Sequence, residues 1–278
     1  MKYIDIHGHI QFAAYDADRD AVIQRARDAS VGIISVGTDL ELSRKAIQLA
    51  EQNQDMWAIV GLHPVYCGES HNDPQETGDE GDHSRPKQEF NYEAFKKLAE
   101  HPKVVAIGEC GLDFFHSQPE DIAFQREVFI QHIKLANEVG KPLMLHVRNS
   151  KTLTDLGSAY LESLKILKEH ATVKANFHFF AGTLEEMKAI IDAGHYVSFT
   201  GVLSFAKNYD ELIKTVPMNR IMTETDCPYV APAPYRGKRN EPSYVTEVVK
   251  AIARIRGEDE EVVAKQVMEN AREFFKLD

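Results

Sequence analysis

The sequence predicts a single (β/α)8 barrel of the α/β class, residues 1 to 278 forming one domain. Three observations carry this expectation. Eight short β-rich runs alternate with amphipathic stretches, no linker separates any two of the units, and polar residues gather where the runs end. A doubly wound open sheet is the competing architecture. It is disfavoured because no glycine-rich phosphate turn follows the first run, and eight units close naturally into a barrel.

The runs are Tyr3 to His7, Gly32 to Gly37, Trp57 to Leu62, Val104 to Gly108, Leu143 to Val147, Lys174 to His178, Tyr196 to Thr200 and Arg220 to Thr225. Between them, Ala21 to Ser30, Leu42 to Gln52, Ile122 to Val139 and Leu184 to Ala193 repeat apolar residues every three or four positions, the helical period. Thr183 with Glu186 makes a capping box before the last of these, and Gly140 and Gly194 stand where helices terminate. Asp259 to Phe275 reads as an extra C-terminal helix. One stretch breaks the rhythm. After the third strand, Gly68 to Phe90 reads GESHNDPQETGDEGDHSRPKQEF, polar, acidic and without period. Composition predicts a solvated, disordered excursion there, with His71 and His83 exposed. Because loops after strands build a barrel's catalytic face, the functional alternative is an acidic lid that selects among substrates.

Composition excludes several classes. No segment reaches the about 18 continuous apolar residues of a membrane span, and the N-terminus lacks a signal-peptide pattern, so the cytoplasm is the default compartment. Cys67, Cys110 and Cys227 share no close spacing and read as reduced thiols. Thirty-two basic against 43 acidic residues give a net charge of -11, which opposes a broad electrostatic grip on a nucleic-acid backbone. Any phosphate substrate must be held locally. Nothing in the sequence calls for an obligate protein partner.

The chemistry sits at the strand ends. His7 and His9 close the first run, His63 follows the third, Glu109 the fourth, His146 the fifth, His178 the sixth and Asp226 the eighth. Any one of these also fits a hydrogen-bonded histidine or a helix-capping carboxylate. As a set they lie on the face where barrel enzymes keep their active sites. In an extended strand residues i and i+2 share a face, so His7 and His9 can grip one cation together. Leaving His63 aside, four imidazoles and two carboxylates exceed the needs of one tetrahedral ion. They suit two divalent ions sharing a bridging carboxylate, for which Glu109 is central in the strand order. Imidazole-rich ligation is compatible with zinc, manganese or iron, whereas magnesium prefers oxygen donors.

The motifs DIHGH, GLHP, IGECGLD, LHVR, HFFAG, TETDCPY and RGKRNEP, in this order over nearly the whole chain, resemble the TatD family of metal-dependent deoxyribonucleases, a branch of the amidohydrolase-like barrels. The resemblance implies that His7, His9 and Asp226 hold one metal ion and His146 and His178 a second, with Glu109 bridging both. It places His63 beside the metals on the substrate side. The implied activity is deoxyribonuclease-type, exonuclease-like phosphodiester hydrolysis; the acidic run after the third strand narrows the expected substrate to DNA ends or short oligonucleotides, and Glu109 and Asp226 are the expected catalytic residues, Asp226 taking the water's proton. The chain departs from the family pattern at Val65, Asn149 and Phe179, none of which is a ligand position.

Further residues follow from position. Arg148 stands two residues beyond His146 and is expected to clamp a phosphate. Glu224, two before Asp226, is expected to orient a ligand or a water. Cys110 and Cys227 adjoin ligand positions but point the other way, so they pack. Arg236, Lys238 and Arg239 form a basic cluster after the eighth strand, read as a phosphate-contacting patch against a plain solvated run. His101, His116, His132, His170 and His195 receive no chemistry. The run of carboxylates after the third strand keeps open a second reading, a barrel hydrolase of a small non-nucleic-acid ester or amide such as an aminoacyl ester. A third is a non-catalytic binding protein on the same barrel.

Overall fold

In the computed structural model, which describes residues 1–81, 83–152 and 154–277, the eight expected runs form one parallel sheet. Asp82 of the acidic segment and the C-terminal Asp278 lie outside the described residues. Ten strands occur in chain order among those described: β1 (Tyr3–Gly8), β2 (Val31–Val36), β3 (Met56–Val60), β4 (Ser70–His71), β5 (Ser84–Arg85), β6 (Val104–Asp113), β7 (Leu143–Arg148), β8 (Ala175–Phe177), β9 (Tyr196–Phe199) and β10 (Ile221–Thr223). The barrel order is β1-β2-β3-β6-β7-β8-β9-β10, and a parallel bridge from Gly8 to Cys227 joins the two ends. Asp5 reinforces that seam by accepting hydrogen bonds from the Thr225 amide and hydroxyl, at 2.8 and 2.5 Å. Burial pushes its carboxyl up to about 8 despite those bonds.

The strands' outward faces pack under the surrounding helices, as the pairing of Ile33 and Val60 with Ala46 and Ala50 in one large apolar cluster shows. Ile4, Ile6, Ile34, Val36, Ile59, Ala106, Met144 and Met222 make a second cluster with Met268, Phe274 and Phe275 of the terminal helix, Glu260–Phe275. Phe274 meets Tyr196, the first residue of β9, so this helix covers the end of the barrel where strands begin. The opposite end is left to the polar residues. The expected capping box is present at Leu184–Asp192, and Gly140 and Gly194 take the positive φ values of helix termini.

Two local irregularities aim the site. Strict alternation would turn His7 away from the interior that Ile6 faces, and the β1–β2 register shifts between Asp5 and Gly8. In β6 the strand continues to Asp113, five residues past its expected end. Gly108 and Gly111 explain the continuation. Their φ values are 150° and 138°, and a Cβ at either would stand 2.3 Å from the carbonyl oxygen of Met144 or His146 in β7. Only glycine lets β6 approach β7 this closely, and Glu109 lies between the two.

The acidic segment departs from expectation. Composition predicted disorder, but β4 and β5 pair as a short antiparallel hairpin around a turn of helix, Pro74–Thr77. The cause is one buried carboxylate. Glu76 accepts hydrogen bonds from the Thr38 hydroxyl at 2.7 Å, the Tyr66 hydroxyl at 2.5 Å and the Arg85 guanidinium, which also reaches Asp39 at 3.1 Å. Arg85 further lies over the Tyr66 ring, and the Tyr229 hydroxyl donates to Asp73 at 2.5 Å, tying the segment to the loop after β10. His71 and His83 are exposed, as expected. Replacing Glu76 by Ala strands three donors in a buried place at about 1–3 kcal/mol for each group left unpaired. The expected outcome is accelerated protease cleavage within residues 68–90; cleavage at the wild-type rate would show that Glu76 does not order the segment.

Candidate metal centre

Glu109, 2% exposed, is the hub of the barrel mouth. Its Oε1 lies 2.8 Å from His178 Nε2, 2.9 Å from His146 Nδ1 and 3.3 Å from His63 Nε2. Its Oε2 lies 3.2 Å from His7 Nε2 and 3.8 Å from His9 Nε2. Asp226 Oδ1 stands 3.5 Å from His9 Nε2 and 3.9 Å from His7 Nε2. Thus all seven strand-end residues converge. Asp226 adopts a left-handed φ of 54°, held by its amide's bond to the His7 carbonyl at 2.8 Å.

Hydrogen bonds on the far side of three rings, His9, His146 and His63, sort those histidines by tautomer. His9 Nδ1 donates to the Val36 carbonyl at 2.8 Å, leaving a lone pair on Nε2 toward Asp226. His146 Nε2 donates to Asp113 Oδ2 at 2.9 Å, leaving its Nδ1 lone pair toward Glu109. His178 Nδ1 faces Glu224 at 3.4 Å, and its Nε2 faces Glu109. His63 is the reverse case. Its Nδ1 accepts the Val65 amide at 3.2 Å, so its proton sits on Nε2 and donates to Glu109. His63 belongs with the donor atoms by distance, yet it offers a hydrogen where the others offer a lone pair.

A lone pair aimed at a carboxylate oxygen at 2.8 Å is repulsive unless a proton or a cation lies between them. Burial disfavours charge on Glu109, but His178, His63, His7 and His146 outweigh it and hold the carboxyl well below its usual range. His178 is driven well above the ordinary imidazole value: burial opposes this, and Glu109 and Glu224 override burial. His7 moves down through burial and the neighbouring His178, whose ring stacks on it at 3.9 Å. Two stacked imidazoles disfavour a positive charge on both. Both nitrogens of His7 are buried without a hydrogen-bond partner, an expensive state that a cation bound at Nε2 would relieve in part. The donor set fits divalent metal on this ground. Three groups of donor atoms each lie within 4.8 Å of one another: His7, His9 and Asp226; His7, Glu109 and His178; His63, Glu109 and His146.

Supporting residues sit one step out. Glu224 is fully buried and accepts from the Phe179 amide at 2.6 Å and the Ser198 hydroxyl at 2.7 Å, which fixes it against His178 as expected. Asp113 went unassigned because the strand was expected to stop at Gly108. Four residues past Glu109 in one extended strand, it shares that residue's face, which was the available signal. His116, given no chemistry, donates from Nδ1 to the same Asp113 carboxylate at 2.8 Å. His132, fully buried, accepts the Leu62 amide on Nε2 at 2.9 Å and so fixes the chain entering His63. The thiols of Cys110 and Cys227 are buried and pushed up, that of Cys227 to about 12, in keeping with packing.

The expected cations lie at the rim. Arg148 is exposed, with its guanidinium over the Phe115 ring at 4.3 Å, beside the donor cluster rather than within it. The basic cluster divides. Arg239 is spent on structure, donating to the Ala14 carbonyl at 2.5 Å and Asp18 at 2.7 Å. Arg236 lies over Phe205 at 4.0 Å, and Lys238 is exposed.

A parallel α/β barrel with imidazoles and carboxylates converging at the C-terminal ends of its strands defines a metal-dependent barrel hydrolase. The particular family follows from comparison: a model of the TatD-related DNases matches residues 4–276, and the chain belongs to that family. It is 35% identical over 279 residues to the metal-dependent hydrolase YabD of Bacillus subtilis, covering 98% of both chains. It is 34% identical over 286 residues to the 3'-5' ssDNA/RNA exonuclease TatD of Pantoea ananatis, covering 98% of this chain and 99% of that one. The crystal structure of the TatD homologue YjjV from Escherichia coli superposes with a TM-score of 0.82 at 26% identity, covering 100% of this chain and 99% of that one. No helix among the described residues is long and apolar enough to cross a membrane.

His132 gives the fold a pH dependence. Burial lowers its pKa to about 4 from an ordinary 6.5, so the unfolded chain binds the proton first as pH falls. Its neutral form stabilises fully above pH 6.5, and that contribution is lost between 6.5 and 4, on the order of 3 kcal/mol. Urea unfolding of His132→Gln across this window should show a shallower loss of stability than wild type; equal slopes would remove His132 as the cause.

Proposed function

We propose that this protein is a divalent-metal-dependent nuclease that hydrolyses phosphodiester bonds at the ends of DNA strands or in short oligonucleotides. One observation carries the reading: Glu109 is enclosed by imidazole nitrogens, with His178 Nε2 at 2.8 Å and His146 Nδ1 at 2.9 Å from its Oε1. The TatD relative named as a single-strand exonuclease supports the substrate class.

Two ions would be held, one by His7, His9 and Asp226 and one by His146 and His178, with Glu109 serving both. Such ions lower the pKa of a water and polarise a phosphoryl oxygen. The donor set favours zinc, manganese or iron over magnesium, because His9 and His146 each present a nitrogen lone pair. Asp226 is held below its usual carboxylate range: burial opposes ionisation, and His9, His178 and His7 prevail. It is therefore anionic at neutral pH and accepts the proton of the attacking water. His63, with its proton on Nε2, donates to the phosphate or keeps Glu109 oriented. Arg148 at the rim contacts the flanking phosphate. Glu224 and Asp113 hold His178 and His146 in the tautomers that this work needs.

A second reading has its own support. With a net charge of -11 and an acidic hairpin anchored by Asp73 to the loop after β10, the mouth repels long polyanions. A small ester, such as an aminoacyl ester, would escape that repulsion.

Metal-loaded protein is expected to shorten end-labelled single-stranded DNA stepwise, and chelation should stop it until metal is restored. No release above the metal-free control, with metal content measured in the same sample, would overturn the nuclease reading; hydrolysis of aminoacyl esters instead would favour the second. Glu109→Gln should lower metal content and cut hydrolysis by at least about 100-fold, and unchanged turnover would remove Glu109 from the centre. Asp113→Asn should weaken metal affinity by roughly 10- to 100-fold through His146; isothermal titration giving wild-type affinity would make Asp113 purely structural.

A further inference from the structure

Exposed large apolar side chains are few among the described residues: Met1, Phe115, Leu161, Phe205 and Val262. Only Phe115 and Phe205 are aromatic. Phe115 follows the C-terminal end of β6, and Phe205 follows the turn Gly201–Ser204 after β9, so both stand at the barrel mouth. Each ring also lies under a guanidinium, Arg148 at 4.3 Å and Arg236 at 4.0 Å. Arg148 ends β7 and Arg236 belongs to the loop after β10, so these contacts join separate parts of the chain at the same face.

Both platforms are anchored. The Phe115 amide donates to Asp113 Oδ1 at 2.8 Å, and the other oxygen of that carboxylate holds His146. The Ser204 hydroxyl accepts the Ala233 amide at 2.8 Å and donates to the Gly201 carbonyl at 2.6 Å, locking the Phe205 turn to the loop that bears Arg236. In the barrel order β6 and β9 are separated by β7 and β8, the strands that lead into His146 and His178. A ligand reaching from one ring to the other therefore passes beside the metal centre.

We propose that Phe115 and Phe205 are base-stacking platforms for a single-stranded nucleic acid, with Arg148 and Arg236 contacting the phosphates beside the stacked bases. An aromatic face beside a cation matches a nucleotide, which presents a π-surface next to an anion. In a chain of net charge -11 such contacts supply local affinity without a broad basic surface. Paired bases in a duplex already stack on one another, so the platforms select unpaired ends. The inference rests on the nuclease reading for its substrate class but assigns two rings that the hydrolytic chemistry does not use.

The test measures anisotropy of a fluorescent oligothymidylate of roughly a dozen nucleotides and of an abasic oligonucleotide of equal length, with metal-loaded protein. Wild type should bind the base-bearing strand about 5- to 100-fold more tightly than the abasic one. Phe115→Leu and Phe205→Leu should each collapse that ratio toward one with metal content intact, while Leu161→Ser, on the outer helix Ala159–His170, keeps it. Cleavage by wild type with an unchanged ratio in both phenylalanine variants would overturn the platforms and leave the nuclease reading standing. Base-dependent binding without cleavage would uphold the platforms and defeat the nuclease chemistry. Absence of binding to either strand would overturn both.

Discussion

The placement of the Glu109 carboxylate governs the rest of the structure. Burying an unpaired carboxylate is prohibitive, and Glu109 is tolerated only because imidazoles from four other strand ends point at it. His9 and His146 are in turn held at their far nitrogens by the Val36 carbonyl and Asp113, and Glu224 faces the far nitrogen of His178. The constraint reaches the backbone as well. Glu109 can occupy the centre because β6 presses against β7 through Gly108 and Gly111, where any side chain would collide with a carbonyl.

The barrel was legible in the sequence because a parallel strand covered on both faces must be a short apolar run, and eight such runs alternate with helical stretches. The donor set was legible for a related reason. His7, His63, Glu109, His146, His178 and Asp226 are polar residues standing where apolar runs end, which is the mark of a barrel's C-terminal face. What escaped depends on contacts distant in the chain. Disorder was the natural reading of GESHNDPQETGDEGDHSRPKQEF, because nothing in that string reveals that Glu76 will meet Thr38 and Tyr66. Asp113 and His132 escaped likewise: one needs the extra length of β6, and the other needs a helix to bring its ring to the Leu62 amide. Arg239, read with the basic patch, turned inward to Ala14 and Asp18.

The tautomers divide the labour more finely than residue identity does. His9 and His63 are both histidines at strand ends, yet one donates its outer proton to a carbonyl and the other accepts an amide there. That single inversion turns a ligand into a hydrogen-bond donor. The stacked rings are pushed in opposite directions: Glu109 and Glu224 raise His178 against its burial, while burial and His178 lower His7, whose nitrogens lack hydrogen-bond partners. A bound cation would supply a partner for one nitrogen of His7.

The acidic surface and the two rim phenylalanines act in one direction. A protein with a charge of -11 gains no long-range attraction for a polyanion, and the hairpin that Glu76 holds in place ties further carboxylates to the loop after β10. Recognition must then come from forces that operate only at contact. Stacking on Phe115 and Phe205 is such a force, and so is a guanidinium placed over each ring. Under the proposed nuclease function, repulsion of the backbone grows with every phosphate brought near, whereas stacking saturates after a few bases, so their balance would favour short or frayed strands over long paired ones. Discrimination of this kind would need no sequence readout, because repulsion and stacking are both indifferent to base identity.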